Sequence, residues 1–100
     1  MKYPKEYLDE IKTRLKVSTV VSRTVNLKKR GKEFVGLSPF KTEKTPSFTV
    51  NDDKEFYHCF ATSEHGNIFD FVMKTQNLKF GEAVKHLAQL AGMQPYMFSK

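Results

Sequence analysis

The chain has 100 residues, 39% of them hydrophobic, and a net charge of +6. That length sets one domain, 1–100, with a modest core, and no run approaches the roughly 18 apolar residues of a membrane span. The single cysteine, Cys59, excludes a disulfide framework and any zinc site built on paired cysteines.

Pro4 suits the first helical position, and Tyr7, Leu8, Ile11 and Leu15 recur at helical spacing behind it. A short second helix is expected from Ser18 as N-cap, burying Val20 and Val21. Thr24 to Lys29 alternates and reads as a strand, Arg30-Gly31-Lys32 as a turn, and Glu33 to Leu37 as the returning strand. Gly36 within that strand marks a bulge or a close backbone approach. Ser47 to Val50 and Glu55 to Phe60 form a second hairpin, with Tyr57 and Cys59 on one face and Phe56, His58 and Phe60 on the other. Asn67 caps a helix carrying Ile68, Phe69, Phe71 and Val72, while His65 and Gly66 serve the turn before it. Asn77 and Leu78 break the pattern, and a last helix with Ala83, Val84, Leu87, Ala88 and Leu90 stops at Gly92. Helices, an antiparallel sheet, then helices make the class α+β.

The charge is unevenly spread. Seven basic residues lie between Lys16 and Lys41, opposed only by Glu33, so this stretch holds the whole net charge. Such a concentration is the electrostatic footprint of a polyanion partner, or else a solvated lysine-rich surface. Arg30 and Lys32 at a ribbon tip, with Lys44 and Lys54 on loops, are the candidate phosphate contacts. Tyr57 and His58 are the candidate base contacts, and since they face opposite ways only one of them stacks on or hydrogen-bonds to a base. Tyr57 reads equally as a core residue beside Cys59, and His58 otherwise as a strand histidine satisfied by backbone.

The run from Gly36 through Ser38-Pro39-Phe40-Lys41 and Pro46-Ser47-Phe48 to Val50, followed by Phe56-Tyr57-His58-Cys59-Phe60 and His65-Gly66-Asn67, resembles a known family. It is similar to the N-terminal zinc-binding, CHC2-type domain of bacterial DNA primases, from about Pro4 to Pro95. The family pattern is Cys-Pro-Phe-His-x-Glu-x-x-Pro-Ser-Phe, then Tyr-His-Cys-Phe-x-Cys-Gly, and the spacing here is the same. The resemblance implies a zinc-ribbon-like sheet flanked by helices at both ends, in a fragment of a larger primase. It places the family's zinc ligands on Ser38, Lys41, Cys59 and Thr62, of which Cys59 alone keeps the chemistry.

Structural zinc takes nitrogen or sulfur donors in a tetrahedron, and an ammonium cannot ligate a cation. The expectation is therefore the fold without zinc, with Lys41 standing in the ion's place near Ser38, Thr62 and Glu64. Surrounding aromatics, including Phe34, Phe40, Phe48, Phe56, Phe60, Phe69 and Phe71, would supply the lost stability. A relocated site on Cys59 with His58 or His65 gathers two ligands at most, and His86 has no partner in sequence.

The resemblance further implies a template-binding domain that holds single-stranded DNA and helps choose where primers start. The parent enzyme would be a DNA-directed RNA polymerase of the cytoplasmic replisome. No catalytic residue is expected in these 100 residues, nor any acidic cluster for Mg²⁺, which would belong to an adjacent polymerase domain. A different class remains open: an interaction module that regulates that polymerase domain or docks on helicase. Met73, Leu78, Phe80, Met93, Met97 and Phe98 would form its apolar face.

Overall fold

The apolar spacing that begins at Tyr7 folds as α1 (Lys5–Arg14), which follows Pro4 as its N-cap and buries Ile11. The computed structural model describes residues 3–39, 44 and 46–96. The second helix, α2 (Val17–Val21), takes Lys16 as its N-cap, two residues before the Ser18 cap its sequence suggests. Ser18 sits inside it for a tertiary reason. Its backbone N–H and hydroxyl both donate to the Asp52 carboxylate, at 2.8 and 2.6 Å, tying α2 to the turn of the second hairpin.

Five antiparallel strands follow in simple order: β1 (Lys28–Arg30), β2 (Glu33–Gly36), β3 (Phe48–Asn51), β4 (Phe56–Cys59) and β5 (His65–Gly66). The first is shorter than the alternation from Thr24 predicts and lies at the edge. The fifth replaces what local pattern predicts as a plain turn. It pairs Tyr57 with Gly66 and His58 with His65. Gly66 fits there because a Cβ would come within 2.6 Å of the Asp70 Cβ. Gly36 likewise lets the chain at Val25–Leu27 press on β2, since a Cβ would lie 2.8 Å from the Asn26 carbonyl oxygen.

Alternation then sorts the sheet into two faces. Phe48, Val50, Tyr57 and Cys59 point inward and are fully buried. Against them pack α2, through Val17, Val20 and Val21, and α3 (Ile68–Gln76), while α4 (Phe80–Leu90) packs on α3 and α1. The last two helices contribute Ile68, Phe69, Phe71, Val72, Ala83, Val84 and Leu87 to the core. Phe48, Tyr57 and Phe71 join the two layers, with ring centroids 5.4 to 5.9 Å apart. Aromatic pairs at such separations add roughly 0.5–1.5 kcal/mol beyond the area they bury.

Asn67 caps α3 as expected, accepting from the Asp70 N–H while the Asp70 carboxylate accepts from the Asn67 N–H. Asn77 ends α3 in the left-handed conformation, and Gly92 follows the Ala91 cap of α4. The α+β class expected from the sequence is the one observed.

Candidate nucleic-acid interface and metal knuckle

Across the sheet runs a row of facing residues: Lys28 with Val35, Val35 with Thr49, Thr49 with His58, and His58 with His65. The row lies on the face away from α3 and α4, because its neighbours along β3 and β4 are the buried ones. Phe60 continues this face beyond β4, held by its N–H donating to the Ser47 carbonyl at 2.9 Å. Its ring is 67% exposed and meets His58 edge-on at a centroid distance of 4.3 Å. The His58 and His65 rings lie 6.2 Å apart and nearly parallel.

Arg30 and Lys32 flank the Gly31 turn at one end of the sheet, exposed as predicted. Lys28, Lys44 and Lys54 are exposed too. Among the described residues the ion pairs are Lys12 with Asp9 and Arg14 with Glu10, both within α1. The cations of the sheet are thus held in no ion pair among the described residues, although Glu33 lies opposite Arg30 across the β1–β2 ladder.

Two readings of individual aromatics are corrected. Tyr57 offers no surface to a base, because its ring is buried against Phe48 and Phe71. Burial pushes its phenol far above the usual tyrosine range, and the nearby Asp70, Glu64 and Cys59 push the same way. Phe60, expected to help the core, stands in solvent instead. The signal for it is present in the chain: Phe60 shares the parity of His58, and alternation alone puts both on the open face.

On the buried side of β4, the turn after Cys59 is tight. The Cys59 N–H donates to the Glu64 carbonyl and the Ser63 N–H to the Cys59 carbonyl, each at 2.7 Å. The Cys59 thiol donates to Ser38 Oγ at 3.1 Å, so two of the motif's ligand positions touch directly. Burial pushes the Cys59 thiol up, but on ionisation the Ser38 and Thr62 hydroxyls and the Thr62 and Ala61 N–H groups donate to the thiolate, which outweighs burial and holds the thiol below its ordinary value. Glu64 Oε2 is shielded there, with no hydrogen-bond partner among the described residues. Lys41 and Phe40 lie outside the described residues.

This donor set does not fit a structural zinc ion. One thiol and two neutral hydroxyls lack the nitrogen and sulfur donors zinc requires. Among the described residues no group of three or more His, Cys, Asp or Glu side chains converges on one point. A relocated site fares no better, since His58 and His65 occupy the open face and Cys59 the buried one.

The apolar residues of the last third pack inward for the most part. Met73, Leu78 and Met93 lie against the core. Phe80, 41% exposed, sets its ring against Phe69 and Tyr3. Met97 and Phe98 lie outside the described residues.

A five-stranded antiparallel sheet backed by helices, with a tight knuckle at Cys59, defines a zinc-ribbon type of domain, whatever its donors. The CHC2 zinc finger, the DnaG-type zinc ribbon, matches residues 3–98, and the chain belongs to this family. It is 48% identical over 91 residues to the DNA primase of Pseudomonas putida, covering 91% of this chain and 14% of that one. To the Escherichia coli K12 DNA primase it is 42% identical over 91 residues, covering 91% and 16%. The crystal structure of the Aquifex aeolicus primase, comprising zinc-binding and RNA polymerase domains, superposes with a TM-score of 0.82 at 30% identity, over 88% of this chain and 22% of that one. The chain therefore spans about a sixth or less of the two full-length primases named here. No helix among the described residues is long and apolar enough to cross a membrane.

Proposed function

We propose that this domain binds single-stranded DNA on the open face of its sheet, as the template-holding part of a primase that helps select initiation sites. The observation that carries the reading is an exposed Phe60 braced by His58, on a sheet whose cations form no ion pair among the described residues. Single strands are held by cations that follow the phosphates and by aromatic faces on which bases stack. Arg30, Lys32, Lys44 and Lys54 take the first role, His58 and Phe60 the second. Primer synthesis, with its Mg²⁺, belongs on this reading to a polymerase domain outside these residues, in a cytoplasmic replisome with helicase as a further partner.

We also propose that the fold stands without zinc, its knuckle closed by the Ser38–Cys59 hydrogen bond and by the Phe48, Tyr57 and Phe71 packing. Elemental analysis of a sample shown folded by NMR tests this. Stoichiometric zinc would sink it.

Anisotropy of a labelled oligonucleotide across a sodium chloride series tests the template reading. Removing one phosphate-binding cation should reduce the slope of log K against log[salt] by about 0.7. Arg30→Ala with Lys32→Ala should therefore flatten it by about 1.4. An unchanged slope would remove both residues from the interface. The interaction-module reading has less support, because Met73, Leu78 and Met93 are already packed on the core. Salt-insensitive association with a polymerase domain would favour it.

A further inference from the structure

Beside the open face lies a cleft of about 470 Å³, lined by residues that include Thr24, Asn26, Lys28, Leu37, Pro39 and Lys44. We propose that this cleft receives one base of the bound single strand, out of line with the bases stacked across the sheet. The inference rests on the template reading above and adds the place where a base would be read.

Its size falls within the roughly 300–1,000 Å³ of small-ligand pockets. Val35, Leu37, Pro39 and Pro46 give apolar surface for the faces of a heterocycle. Leu37 is 48% exposed, a large apolar side chain left open at the wall. The Thr24 and Asn26 side chains bring donors and acceptors that no hydrogen bond among the described residues engages. Lys28 and Lys44 are the charged lining, with no acid among the described lining residues, so the occupant is anionic at its rim and flat and apolar within. A nucleotide has that chemistry.

Position supplies the second argument. Lys28 and Val35 line the cleft and also begin the row that ends at His58 and His65. With strands about 4.8 Å apart, the row spans about 19 Å. A strand whose phosphates follow the cations past this edge can drop one base into the cleft while others lie on Phe60. The close approach at Gly36 draws Val25–Leu27 in against β2 and so sets the cleft's inner wall.

The test is an NMR titration of the ¹⁵N-labelled chain with a mixed-sequence heptamer containing all four bases, and with its fully abasic counterpart. The heptamer should shift the amides of Thr24, Asn26 and Leu37 as well as Phe60. The abasic strand should move Lys28 to Lys32 and leave Thr24, Asn26 and Leu37 still. Thr24→Tyr, a surface change that fills the cleft, should weaken heptamer binding about tenfold while the Phe60 shifts persist at saturation. Asn26→Ala, which leaves the volume open, should cost about threefold. A cleft that stays silent while Phe60 moves overturns this inference alone, as does a cleft that answers the abasic strand equally. No shift anywhere overturns the template reading, and this inference with it.

Discussion

Neighbouring residues of β4 belong to two different regions of the molecule. Cys59 and Tyr57 face the helices, where every side chain answers to packing. His58 and, just beyond, Phe60 face solvent, where a side chain answers to what binds. On the buried side Ser38 and Thr62 stand where the resemblance places metal donors, and the strands run in simple order. On the open side the aromatic and imidazole groups remain uncovered, although covering Phe60 would have stabilised the fold by roughly 1.5–3 kcal/mol. The comparison teaches that packing accounts for the side chains of the buried face, while the open face holds groups that stability alone does not explain.

The largest expected effect comes from restoring the donors. Ser38→Cys, Lys41→His and Thr62→Cys together return the family's ligand pattern around Cys59. The triple variant should take up one zinc ion with an apparent binding free energy on the order of 10 kcal/mol. At about 4–8 °C per kcal/mol for a domain this size, its melting temperature should rise by more than about 10 °C with metal and not without it. A variant that folds but binds zinc no better than the natural chain would mean the knuckle has drifted from metal-binding geometry.

Next in size is a pair of phenylalanines. Phe48→Ala opens a cavity in the middle of the Phe48–Tyr57–Phe71 cluster and should cost about 3–5 kcal/mol of stability, read by urea unfolding. Phe60→Ala should change stability by less than about 0.5 kcal/mol. It should instead weaken oligonucleotide binding by about 1–3 kcal/mol, roughly five- to 150-fold. If Phe60→Ala destabilised the fold as much as Phe48→Ala and left binding intact, the division of the sheet into two faces would fail.

Much of this division is legible in the chain. Alternation alone sets Tyr57 and Cys59 against His58 and Phe60, and Asn67 declares its helix through a cap that needs only local hydrogen bonds. What local pattern cannot tell is which face is covered, because that depends on where α3 docks. Hence Tyr57, a polar-tipped ring, reads in the sequence equally as base contact or core and Phe60 as core support, whereas the fold buries the first and exposes the second. Ser18 misleads for a similar reason, since its partner Asp52 lies 34 residues away. β5 escapes because two residues carry no period, and only the clearance at Gly66 marks them. The cleft beside β1 is built from three separate segments and has no sequence signature.

The smallest effect separates two groups of the buried face by pH. An unfolded tyrosine ionises near pH 10, whereas Tyr57 in the fold stays protonated there. Above about pH 10 the unfolded chain has lost a proton that the fold keeps, so stability is intact below that pH and falls as pH rises past it. Cys59 works the other way. Its folded value lies below the 9.0 of a free thiol, so its contribution is present above about pH 9 and is lost as pH falls through the folded value. Urea unfolding from about pH 7 to about pH 11 should therefore show a rise attributable to Cys59, then a decline attributable to Tyr57. Tyr57→Phe should remove up to about 1.4 kcal/mol per pH unit from the falling limb, and Cys59→Ala should flatten the rising one. If instead His58→Ala altered these limbs as much as Tyr57→Phe did, the two faces would share one electrostatic environment, and the sheet would not separate the open face from the core.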